Sequence, residues 1–178
     1  MPNKSVTRLV PGLLVVGSVF GMAGTFVSSS SVRGLAWGID GVALVLAFAL
    51  LAIHFVSSSQ LLLGTGFLVF LTGQTLVLSS APMSLSAGAP MLGAGTALWA
   101  VALVVISAAR YAPMLVRVLG LLAAALFTGT AAQIFAGVPL DAKSSPLPFF
   151  AYPMLVATLL GWAWTLFKAE HTGRLPSG

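Results

Sequence analysis

The chain contains no cysteine. That excludes disulfides, thiolate metal sites, iron–sulfur clusters and a cysteine nucleophile together. Charge is nearly as scarce: 6% of the 178 residues are charged and only three are acidic, against about 25% charged residues in an ordinary soluble domain. Histidine occurs twice. With so few ionisable groups, no catalytic constellation is visible. An intramembrane serine protease would need a serine beside a His or Lys base. A haem between helices needs axial ligands, and a metal site needs several His or carboxylates together. No Gly-rich phosphate loop of Walker type is present. The expectation is therefore a protein that is not an enzyme, with no catalytic residue, no metal and no predicted cofactor. A bound lipid or quinone remains open, because such ligands need mostly apolar surface and one or two polar contacts.

What is there is apolar. Hydrophobic residues make up 58% of the chain, and the mean hydropathy is +1.07. This predicts a single all-α membrane domain, a polytopic integral membrane protein whose six transmembrane helices form a bundle with short loops. Helices are expected at about 9–27, 35–56, 60–78, 91–109, 114–135 and 149–167, each close to the ~20 residues that span a bilayer core. Pro82 and Pro90 are expected to break any helix in the uncharged loop 79–89. Pro11 and Pro153 are placed in first helical turns, where proline is tolerated. The loop 136–148 is the longest and is expected to carry a short structured piece. The start of the chain also has the layout of a secretory signal peptide, with Gly21-Met22-Ala23 as a small-x-small site; a retained helix is expected instead.

The net charge of +5 does not indicate nucleic acid, because the basic residues sit at helix ends rather than on one soluble face. With the N-terminus inside, the inner segments hold Lys4, Arg8, Arg110, Arg117, Lys168 and Arg174, and the outer ones only Arg33 and Lys143. The positive-inside rule then puts both termini in the cytoplasm, in the cell's inner or plasma membrane.

The segment 35–56 stands out. It holds the only carboxylate, Asp40, and the only histidine, His54, inside the hydrophobic part of the chain. Both fall within ~40° of one helix face. Gln60 and Gln74 repeat that spacing on the next helix. An antiparallel hairpin turning at Ser57–Ser59 would set Asp40 level with Gln74 and His54 level with Gln60, giving two polar layers. The first layer, joined by Gln133 near the same boundary, is a candidate intramembrane polar site. Interhelical hydrogen bonds in membranes are worth about 0.6 kcal/mol on average, so the layers read first as register devices. An Arg33–Asp40 ion pair is a further structural account, since Arg33 can bend toward Asp40. The side chains between Asp40 and His54 on that face are apolar, which gives a proton path between them little support. Gly17–Gly21 and Gly34–Gly38 are small-xxx-small steps suited to close helix packing. Trp99, near the middle of its helix, reads as a packing residue. The short match between Val42–Val45 and Val101–Val104, each after a tryptophan, is within chance for this composition.

Three functions follow as expectations. The first is an accessory or scaffolding subunit of a larger membrane complex, partnered by other membrane subunits or by itself. The second is a small transporter or channel with its site around Asp40. The third is a lipid- or quinone-binding membrane protein. In every case membrane lipids are partners and nucleic acid is not.

Overall fold

In the computed structural model of the protein, the described residues are 4–81, 85–140, 143–145 and 147–172; side chains are not described at 4–7, 85–86, 148 and 170–172. Among them the chain is helical and contains no strand. The helices are α1 (Lys4–Phe26), α2 (Ser30–Ser57), α3 (Leu61–Ser80), α4 (Leu85–Ala108), α5 (Met114–Phe135) and α6 (Tyr152–Thr172). A π-helical turn, Leu147–Ala151, leads into α6. Among the described residues, six helices are long and apolar enough to cross a membrane.

Each helix packs on its neighbours in sequence, and α6 returns to pack on α1. The six therefore close into an up-and-down ring. Its outside is apolar: Leu35, Ile53, Leu61, Leu115 and Trp164 are each at least 64% exposed. Its inside is packed with rings. Phe55 stacks on Phe67 with centroids 5.5 Å apart, and Phe48 meets Phe70 at 4.3 Å. Phe67 meets Trp162 of α6 edge-on at 5.4 Å, which ties α3 across the ring. Trp99 stacks on Phe70 at 5.7 Å and meets Phe127 of α5 at 5.2 Å. Such pairs contribute about 0.5–1.5 kcal/mol each beyond the area they bury. Tyr111, between α4 and α5, closes this core at the end nearer the termini. Its hydroxyl is buried without a partner, and burial pushes it well above the usual phenol range, so it stays neutral.

Glycines set the helix spacing. Gly17, Gly21 and Gly24 on α1 receive Leu44, Asp40 and Trp37 of α2, three rungs of one antiparallel pair. Gly73 and Gly95 bring α3 and α4 together backbone to backbone: a Cβ on Gly73 would lie 2.8 Å from the Gly95 carbonyl oxygen. By contrast, nothing lies within 4 Å of a Cβ on Gly34 or Gly38. Among the described residues, that second small-xxx-small step receives no side chain as the first one does.

Several boundaries differ from the sequence expectation, and the reasons are local. α2 begins five residues earlier than expected because Ser29 caps it, its hydroxyl accepting from the Val32 amide at 3.5 Å. Arg33 is thus a helical residue rather than a loop residue. Pro90 lies inside α4 instead of ending it. It is exposed and in the second turn, where the carbonyl it leaves free is close to the helix end. Pro82 lies outside the described residues. Pro11 lies within α1, which starts at Lys4. Pro153 has no N–H for the Phe149 carbonyl, and its ring crowds that oxygen; the preceding turn widens into the π form. Arg117, near the start of α5, donates from Nε to the Ser107 carbonyl at 2.7 Å. It satisfies one of the carbonyls left open at the end of α4.

Candidate functional site

The aromatic packing fills the half of the ring nearer the termini. In the other half a cavity of about 90 Å³ remains, lined by α1, α2, α3, α4 and α6. α1 supplies Gly17, Ser18, Gly21, Met22 and Thr25, small or flexible residues on one face. α2 supplies Trp37, Asp40 and Leu44; α3 supplies Gln74, Val77 and Leu78; α4 supplies Leu92 and Trp99. The turn after the π segment sets Tyr152 against the cavity, followed by Leu155, Val156 and Leu159.

The polar atoms here are short of partners. Ser18 Oγ, Gln74 Oε1 and Trp99 Nε1 are buried and make no hydrogen bond. Ser18 is 2% exposed, Gln74 3% and Trp99 4%. The half-buried Asp40 carboxylate lies over the Gly17–Gly21 step: a Cβ on Gly21 would be 3.0–3.1 Å from its carboxylate atoms. No hydrogen bond or ion pair reaches Asp40 among the described residues. Each buried polar group left unsatisfied costs about 1–3 kcal/mol. Three such atoms line this one cavity, and the Asp40 carboxylate faces it beside them. Thr25 and Ser80 differ, since their hydroxyls bond back to Gly21 and Val77 carbonyls of their own helices at 3.0 and 2.6 Å.

The expected Arg33–Asp40 pair does not form. Arg33 Nη1 donates to the Val27 carbonyl at 3.2 Å, and the guanidinium lies 5.8 Å from the Trp37 ring centroid. The open carbonyls at the end of α1 and the aromatic ring are nearer to hand than a carboxylate two turns away. The two polar layers do not form as hydrogen-bonded layers either. Gly41 meets Leu78, and Gly64 meets Ala52 and Val56. The hairpin is therefore centred on Ser59, which takes a positive φ of 61°, and α3 is displaced by about one turn from the expected register. Asp40 is level with Leu78 rather than Gln74, although both Asp40 and Gln74 line the cavity. His54 is buried with Nε2 unpartnered and its ring against Phe55. Gln60 caps α3 without a side-chain bond. Buried Leu44, Phe48 and Leu51 lie between Asp40 and His54 along α2.

Gln133 is not part of the site. It is exposed, on the same face of α5 as exposed Leu122 and Gly129, while Phe127, Thr130 and Ile134 turn inward. Ser18, Trp37, Trp99 and Tyr152 belong to the cavity and were not among the sequence candidates for it. One signal pointed to Ser18: it is a hydroxyl beside the Gly17–Gly21 step in an otherwise apolar run.

No family model, curated protein or solved structure matches this chain. Among the described residues no group of three or more His, Asp or Glu could hold a metal ion. The arrangement offers one carboxyl group, hydrogen-bonding atoms of both kinds, and an apolar wall.

Proposed function

We propose that this chain is a multi-pass membrane protein, without catalytic chemistry of its own, that binds a small polar solute in its ring as a small transporter. The observation that carries this is the cavity in which Asp40, Ser18, Gln74 and Trp99 converge unpartnered. Ionisable residues inside apolar helices are expensive and tend to mark solute pathways. The apolar exterior supports a lipid environment. The bias of basic residues supports cytoplasmic termini and an inner or plasma membrane. The cavity then opens in the outer half.

The reading implies that purified protein, screened against panels of small amines, carboxylates, sugars and zwitterions at millimolar concentration, gains thermal stability with at least one class. Mass action gives about 2.7 kcal/mol at a hundredfold excess over Kd. Ser18→Val, which fills the cavity, should abolish that gain while folding normally. A wild-type protein that responds to no class, or a variant that responds equally, would defeat the proposal. Orientation has its own test, helped by the absence of native cysteine. In intact cells a membrane-impermeant maleimide should label exposed Ser28→Cys and spare Ser58→Cys until the cells are opened; the reverse pattern inverts the topology.

The accessory-subunit reading keeps one observation in its favour, the open Gly34–Gly38 step on α2, where a second helix could seat. Native mass spectrometry returning this chain alone, or a simple multiple of it, would remove that reading. A quinone is less suited to the cavity, because about 90 Å³ is well below the ~150 Å³ of a cavity that holds one benzene ring.

A further inference from the structure

The balance of donors and acceptors in the cavity says more than that something polar fits. Asp40, when ionised, offers two acceptor oxygens, which no hydrogen bond or ion pair reaches among the described residues, and the buried Gln74 Oε1 offers another without a partner. Ser18 Oγ can accept or donate. Trp99 Nε1 and the Gln74 amide nitrogen are obligate donors, and both are neutral, so neither answers the carboxylate's charge. A ligand that satisfies this set presents several N–H or O–H donors and a positive charge. Arg33 does not answer the carboxylate's charge, because it is held on the Val27 carbonyl and over Trp37.

Two kinds of cation could answer the charge. A bare alkali or alkaline-earth ion wants about six oxygen ligands. The lining offers the Asp40 carboxylate, Gln74 Oε1 and Ser18 Oγ, while Thr25 and Ser80 hydroxyls are engaged with their own helices. An organic ammonium needs fewer acceptors and gains from apolar and aromatic walls. Such walls are present in Trp99, Tyr152, Leu155 and Leu159. A volume of about 90 Å³ admits roughly three water-sized groups, which limits the ligand to a short alkylamine.

Resting on the solute-binding reading above, we propose that the cavity is a site for a small protonated amine. Its ammonium lies against Asp40 with N–H groups toward Gln74 Oε1 and Ser18 Oγ, and its alkyl part lies on the α4–α6 wall. Asp40 is the residue that distinguishes charge; Gln74 and Ser18 orient.

The test is isothermal titration of the full chain in lipid nanodiscs with propylammonium, 1-propanol, propionate and sodium ion, each alone. Propylammonium should bind, and propionate and 1-propanol should bind at least tenfold more weakly. Asp40→Asn, which keeps the shape, should weaken propylammonium at least tenfold and leave 1-propanol unchanged. Asp40→Glu should recover part of the loss, which guards against a folding defect in the amide. Equal binding of propylammonium and 1-propanol, or unchanged propylammonium binding by Asp40→Asn, would overturn the amine assignment while solute binding stood. Sodium binding that Asp40→Asn abolishes, with no binding of propylammonium, would overturn it in favour of a metal ion. Absence of binding by all four probes, together with silence in the wider panel, would remove both proposals.

Discussion

Replacing Trp162 by alanine is expected to lower the melting temperature by roughly 10 °C, while replacing Trp164 by alanine changes it by no more than about 2 °C. The two residues share a helix and a chemistry but differ in environment. Trp162 is 2% exposed and Trp164 64% exposed. Trp162 is the wedge from α6 that meets Phe67 at 5.4 Å and Phe70 at 6.2 Å in the middle of the ring. Truncating a buried tryptophan typically costs about 3–5 kcal/mol through lost contacts and the void left behind. In a lipid setting dispersion packing carries more of that cost than water exclusion does, since lipid tails are as apolar as the core. The void has no easy route to collapse, because glycine contacts already bring α3 against α4 and α1 against α2. Fluorescence-detected size exclusion after heating would measure both variants. Equal melting temperatures for the two would mean that the aromatic centre of the ring is not what holds it.

Gly73→Ala is expected to cost roughly 5–10 °C, although it adds a single methyl group. That methyl would lie 2.8 Å from the Gly95 carbonyl oxygen and 2.8 Å from Trp99 Cδ1. The first neighbour is backbone and cannot rotate away, so α3 and α4 must separate. Overpacking of this kind costs about 1–3 kcal/mol or more. Moving Trp99 also disturbs the cavity wall, so solute binding should weaken in the same variant. Gly12→Ala is the matched control, since nothing lies within 4 Å of a Cβ there; it should melt with the wild type. A Gly73→Ala protein that melts within about 2 °C of the wild type would show that α3 and α4 can part at little cost.

Much of the helical layout was legible because it depends on local composition. Long apolar runs bounded by Ser, Gly, Pro and charge mark six helices whatever their packing. The errors cluster where a boundary depends on one backbone hydrogen bond: the Ser29 cap, Pro90 near a helix end, and the π turn ahead of Pro153. The site was legible in part. Asp40 and Gln74 stand out because a polar residue in an apolar run is rare, and both line the cavity. Gln133 stands out for the same reason and faces outward, since periodicity alone does not say which face of α5 is inside. The expected level pairing of Asp40 with Gln74 missed by a turn because it assumed a hairpin centred two residues early. Register there follows steric contacts at Gly41 and Gly64, which exceed the modest worth of an interhelical hydrogen bond.

The sequence by itself determined an all-helical chain with six segments long and apolar enough for a membrane, and the scarcity of groups able to do chemistry. Those properties are sums over local residues, so no knowledge of neighbours is needed. Only the tertiary structure decided that α6 closes the ring on α1, that rings fill one half and leave a cavity in the other, and that Ser18, Trp99 and Tyr152 join Asp40 there. Those facts depend on which faces meet and at what height. That is settled by the fit of side chains between helices, to within a single methyl group at Gly73.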